Sequence, residues 1–251
     1  MTRLFRHLIV LFLVALAILS GCSSSQKTHT PVSENPYEGA RVGTDSTLEV
    51  MTWNLENFAK LGNTTAAHVA QMIQGVDADI IALQEIKSVS HFQRVVDSLD
   101  GWDGFRASSS SGDLNLAYIY RTDGLLEVSA IYEILAGQSR ALPRTPLVLE
   151  GTIGGIGYVI INNHYKAFGD GEIDPDNDWD EETRRRDACL LLQQFVEANY
   201  ADRRVIMVGD FNDEITDLPG RNVFQNFIDL PDQWLFTDMA IAQDTGTIWS
   251  Y

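Results

Sequence analysis

The stretch RRVIMVGDFNDE, residues 203–214, runs an apolar segment into Asp210, Asn212 and Asp213. The same break recurs elsewhere: Asn54 follows LEVMTW, Glu85 follows DIIALQ, and His164 follows YVIINN. A strand end can present side chains to a cleft while the strand's middle stays packed. Singly, each residue has a bland reading. Asn54 and Asp210 suit turns, Glu85 suits solvent, and His164 suits a strand-end cap. Turn chemistry is a poor explanation for all of them together. As a set they suit work on an anionic oxygen. Carboxylate and amide oxygens can hold Mg²⁺, which keeps several waters. A histidine can donate to an anionic oxygen, and an aspartate can orient a water or take its proton. A metal on a phosphoryl oxygen stabilises developing charge. Nothing in the sequence suits a thiol or serine nucleophile. No GxxxxGK[ST] loop and no zinc-type Cys/His spacing is present.

The elements that must position these residues alternate along the chain. Strands are expected at LEVMTW, ADIIALQE, LNLAYIYR, LLEVSAIYEI, on either side of a Gly-Gly turn in PLVLEGTIGGIGYVIINNH, and at RRVIMVGD. TTAAHVAQMIQG reads as a helix capped by threonine and ended by Gly75. SVSHFQRVVDSL places Phe92, Val95, Val96 and Leu99 on one helical face. DEETRRRDACLLLQQFVEANY reads as a helix with Asp180 as N-cap. Strands joined as hairpins, interspersed with helices, favour a layered α/β sandwich over an all-parallel sheet. There is no internal repeat.

The 251 residues, 45% of them hydrophobic, suit one or two domains with a real core. The formal charge of −17 argues against gripping nucleic acid by bulk electrostatics. It suits an exported surface or a site that gathers divalent cations. Arg3 and Arg6 precede a 12-residue apolar run, 8–19, too short to span a bilayer. Residues 1–21 therefore read as a signal peptide. The segment LSGC, ending at Cys22, resembles a bacterial lipobox. The resemblance implies acylation of Cys22 and a membrane partner through the lipid, in the cell envelope, at the outer membrane or cell surface. The alternative is an ordinary secretory signal. Losing Arg3 and Arg6 takes the charge from −17 to −19. Residues 22–46 are Ser-, Thr- and Pro-rich and read as a tether, with order from Leu48. Cys189, among apolar helix residues, reads as a buried structural thiol.

The motifs TWNLENF, IIALQEI, INNHYKAFGD and VGDFND, in that order from Leu48 to about Asp213, resemble the endonuclease/exonuclease/phosphatase superfamily. The resemblance implies a four-layer sandwich over residues 47–251, with two mostly antiparallel sheets face to face and helices on both outer faces. It implies a metal-dependent hydrolase of phosphoester bonds using Mg²⁺ or Mn²⁺. Glu85 would be the principal ligand, with Asn54 supporting the metal and its waters. His164 would contact the scissile phosphate. Asp210 would orient or deprotonate the attacking water, and Asn212 would fix Asp210 and a phosphate oxygen. Arg144 and Lys166 are candidate phosphate binders, although Lys166 lies at the surface if the chain has already turned. The substrate would be nucleic acid, a small phosphodiester, a phosphomonoester or a phospholipid head group, and the protein a monomer.

Two features depart from the pattern. The family implies a later Asp-His pair and closing strands, whereas the 41 residues after Asp210 hold no histidine. An incomplete domain, weakly active as the chain stands, is therefore expected. The competing reading is a non-catalytic surface lipoprotein that keeps the scaffold for binding. Separately, Asp174, Asp176, Asp178 and Asp180 alternate before the third helix. Trp179 and Arg185 occupy the positions where an EF-hand loop needs Gly and Glu. That loop type is excluded. A solvated acidic loop or a looser Ca²⁺ site is left. Arg184, Arg185 and Arg186 would offset this acidity or meet substrate phosphate.

Overall fold

The computed structural model describes residues 35–109 and 113–244. Cys22 and residues 1–21 lie outside them. Strands are β1 (Val50–Phe58), β2 (Ile80–Ile86), β3 (Trp102–Arg106), β4 (Asn115–Arg121), β5 (Glu127–Glu133), β6 (Leu147–Ile153), β7 (Ile156–His164) and β8 (Arg204–Asp210). Helices are α1 (Asn63–Val76), α2 (Val89–Asp97), α3 (Glu181–Asn199), α4 (Gln225–Ile228) and α5 (Met239–Ala242). Among the described residues the strands form two sheets, ordered β1-β2-β4-β3 and β5-β6-β7-β8. In each sheet one pair is parallel, β1 with β2 and β7 with β8, and the other pairs are antiparallel. The parallel pairs are those bridged by α1 and α3, as a crossover connection requires.

Three apolar clusters make the layers. Ile81 and Leu83 of β2 pack with Val69 and Ile73 of α1 and Phe92 and Val95 of α2. Val159 and Ile161 of β7 pack with Ala188, Leu192 and Val196 of α3. Between the sheets, Ile80, Ala82 and Tyr118 meet Leu147, Leu149 and Ile160. Each fully buried Ile or Leu contributes ~1.5–3 kcal/mol. The inter-sheet core is also stitched by polar groups. Tyr118 Oη lies 3.1 Å from Leu147 O and 2.9 Å from Ile160 O. Gln84 Nε2 donates to Asn162 Oδ1 at 2.8 Å, and Asn162 Nδ2 donates to Leu83 O and Ala117 O at 3.0 Å each. The four-layer sandwich expected from the sequence is the fold observed.

Local differences have local causes. Gly75 lies inside α1, not at its end. A Cβ there would come within 2.5 Å of Tyr37 O, so the glycine admits a close approach of the chain. Asp77, in the left-handed region, closes the helix instead. No threonine side chain caps α1, whose N-cap is Gly62. Order also begins before Leu48. Asn35 Nδ2 donates to Gln71 O at 2.7 Å, and Val42 N to Val76 O at 2.9 Å, which lays residues 35–43 against α1. Asp180 caps α3 as expected, accepting from Thr183 N at 2.8 Å.

Candidate active site

Strand parity explains how most of the candidate residues meet. Val50, Ile160, Ile206 and Val208 face the inter-sheet core. Counting by twos places Asn54, Asn162, His164 and Asp210 on that same inner face. The register of the parallel pair sets His164 beside Asp210. Glu85 breaks the parity. Alternation would send it outward with Ile81 and Leu83, toward the helices. Instead its φ is +63°, and the pairing on both sides of β2 shifts register around it. An irregular strand re-aims a side chain in this way, and left-handed backbone at a bulky residue is costly enough to need support. The support comes from Asn57, whose N–H donates to Glu85 Oε2 at 2.8 Å. Glu56, Asn57 and Asn212 around the site also have positive φ.

The side chains converge across the two sheets. Asn54 Nδ2 donates to Glu85 Oε1 at 3.2 Å and to Asp210 Oδ2 at 2.8 Å. His164 Nε2 lies 3.9 Å from Glu85 Oε1 and 3.8 Å from Asp210 Oδ2. Asn212 N donates to Asp210 Oδ1 at 3.1 Å, and Asn212 Nδ2 to Tyr165 O at 3.3 Å. Tyr165 O also accepts from Arg144 Nη1 at 3.2 Å, so Arg144 and Asn212 are anchored on one carbonyl. Burial lowers the Arg144 pKa, while the Glu85 and Asp210 carboxylates oppose that shift. The guanidinium thus stands within the electrostatic reach of both.

His164 is pushed down to a pKa of about 4, mainly by burial and then by Arg144, with Asp210 and Glu85 pulling upward. It is neutral at pH 7. Its Nδ1 is buried with no partner among the described residues. A buried acceptor is left bare more readily than a buried N–H. The proton therefore belongs on Nε2, facing the two carboxylates.

The donor set fits a hard divalent cation. Two partly accessible carboxylates, Glu85 and Asp210, converge with one amide between them, and no thiolate is present. Asn54, expected to support the metal and its waters, stands between the two carboxylates. Its Oδ1 accepts from Glu56 N at 2.8 Å, and its Nδ2 holds the two carboxylates together. Lys166 is not brought into the cluster. It pairs with Glu181 at 3.2 Å and lies over the Phe168 ring. Arg185 is buried, joined to Asp213 at 2.6 Å and Glu182 at 2.9 Å, and also donates to Lys166 O and Phe168 O. It braces the loops after β7 and β8, so among the three arginines it neutralises acidity internally. Gln84 and Asn162, fastened beneath the site, were not singled out in the sequence. A polar residue two before His164 on an otherwise apolar inner face is the signal that marks Asn162.

Known proteins resemble this chain in fold and family. Residues 51–251 match the Endonuclease/Exonuclease/phosphatase family. No curated protein matches the chain. The human nocturnin catalytic domain with bound sulfate is 20% identical, with a TM-score of 0.54 over 76% of this chain and 74% of that one. An endonuclease/exonuclease/phosphatase family protein from Leptotrichia buccalis is 14% identical, with a TM-score of 0.53 over 79% and 77%. D. rerio TDP2 complexed with single-strand DNA product is 17% identical, with a TM-score of 0.53 over 67% and 62%. The chain thus spans 62% of the length of that TDP2 structure. At these identities the likeness is one of fold. With the family match over residues 51–251, this chain belongs to the Endonuclease/Exonuclease/phosphatase family.

Proposed function

We propose that the protein is a divalent-metal-dependent phosphoesterase, held at the cell envelope by lipid on Cys22. One observation carries the catalytic reading: a single amide, Asn54 Nδ2, joins Glu85 from one sheet to Asp210 from the other, with His164 within 4 Å of both. Glu85 would hold Mg²⁺ or Mn²⁺, which when bound polarises a phosphoryl oxygen and offsets its developing charge. Asp210 accepts a proton from water, held in orientation by Asn212 N and Asn54 Nδ2. His164, neutral, donates from Nε2 to a phosphoryl oxygen. Arg144 and Asn212 add positive charge and a donor on the same side, fixed by Tyr165 O. The described surface offers no thiol or serine in this cluster, so water is the nucleophile. The net charge, −17 for the whole sequence and −19 once Arg3 and Arg6 are lost, favours a small phosphodiester or a head group over a long polyanion.

The test is hydrolysis of bis(4-nitrophenyl) phosphate by the full chain with Mg²⁺ or Mn²⁺ and with chelator. Chelator should abolish turnover. Asp210→Asn should lower kcat ~10²–10⁴-fold in a folded protein. Metal binding at Glu85 with no turnover on any phosphoester would defeat the enzymatic reading and leave a binding scaffold.

A further inference from the structure

The loop entering α3 holds a second group of carboxylates, outside the candidate active site. One ligand oxygen each from Asp170, Asp180 and Glu182 lies within 4.8 Å of the others. Acidic groups near one another are common at surfaces, but Glu182 is not at the surface. It is 2% exposed. Its Oε1 accepts from Gly171 N at 2.7 Å and from Arg185 Nη2 at 2.9 Å. Its Oε2 is buried with no hydrogen-bond partner among the described residues. A buried carboxylate oxygen without a donor costs free energy. Arg185 cannot balance it alone, because the same guanidinium also serves Asp213 at 2.6 Å. One buried cation thus faces two buried carboxylates, leaving an excess negative charge beside Asp170 and Asp180.

The nearby cations are committed elsewhere. Arg221 donates to Gly171 O and pairs with Glu172, and Lys166 pairs with Glu181. The backbone is shaped to the carboxylate. Gly169 has φ +124°, and a Cβ there would stand 2.1 Å from Glu182 Oε1 and 2.4 Å from Oε2.

We propose that Asp170, Asp180 and Glu182 bind a structural Ca²⁺, which completes the Glu182 carboxylate and braces the loop between β7 and α3. The donors are all oxygen, with no imidazole or thiolate, which suits a hard cation. They lie on an irregular loop, which suits the flexible coordination of Ca²⁺ better than the strict octahedron of Mg²⁺. Arg185 would couple this site to the loops carrying Lys166 and Asp213.

The experiment is read independently of turnover. Full-chain protein carrying Glu85→Gln, which removes the other metal ligand, is titrated with Ca²⁺ while its thermal midpoint is followed. Tb³⁺ luminescence sensitised by tryptophan, Trp179 adjoining Asp180, gives a second signal. Ca²⁺ should raise the midpoint and displace Tb³⁺. Asp170→Asn, at an exposed position that leaves folding intact, should weaken Ca²⁺ at least ~tenfold, and Glu182→Gln more. A Ca²⁺ response that survives Asp170→Asn unchanged, or no Ca²⁺ response in the Glu85→Gln protein, would overturn the site.

Discussion

At His164, one side chain sets a pH limit on the fold. The group is buried neutral with a pKa near 4, against about 6.5 when unfolded. Between those values the unfolded chain takes up a proton that the folded chain refuses. The stability is complete above pH 6.5 and is lost as the pH falls toward 4, by at most ~3 kcal/mol. Urea midpoints from pH 7 to 4.5 should therefore fall more steeply for the native protein than for His164→Gln. Parallel curves would mean that His164 is not held neutral. The same refusal matters for chemistry, since a neutral Nε2–H remains a donor throughout the physiological range.

Among the strands, the join of β7 and β8 bears the closest tolerance. Gly209, next to Asp210, has φ +143°, and a Cβ there would sit 2.1 Å from Asn163 O on the neighbouring strand. Gly209→Ala should cost ~3 kcal/mol or more and lower Tm by roughly 6–12 °C. Gly154→Ala, in the open β6–β7 turn, meets nothing within 4 Å and carries only the positive-φ penalty of ~1 kcal/mol. Equal losses for the two would remove the argument from close approach. The strand bearing Gly209 was visible in the sequence as an apolar run, as were β2, β4, β6 and β7. The ends of those runs marked His164 and Asp210, but that the two share a face follows only from the register of β7 with β8. The aim of Glu85 was not foretold, because alternation gives the opposite answer and the register shift exists only once β1 and β4 pair with β2. β3 escaped notice for a related reason. It has five residues, one of them Gly104, and only tertiary contact with β4 makes it a strand. Lys166 shared the parity of His164 but came after the turn, where parity no longer holds.

For the whole molecule, composition said most about setting. A net charge of −17 disfavours polyanion tracking, and the apolar run 8–19 with LSGC at its end argues for export with a lipid anchor. The anchored protein should sediment with membranes and be released by detergent. Radiolabelled fatty acid should be incorporated into the native protein and not into Cys22→Ser. Label retained by Cys22→Ser, or absent from the native protein, would rule out the anchor proposed. Segment 35–43 shows where composition misled. Polar and proline-containing, it reads as tether, yet its backbone and Asn35 find partners on α1 that no local pattern announces.

The bond from Asn54 to Asp210 joins residues 156 positions apart, each contributed by a different sheet. Neither sheet holds the cluster alone. Contacts of such sequence separation close late, after local helices and hairpins have paid their own loop entropy. The chemistry therefore depends on how the two sheets clasp, and a change that parts them scatters the cluster even where each sheet keeps its own strands.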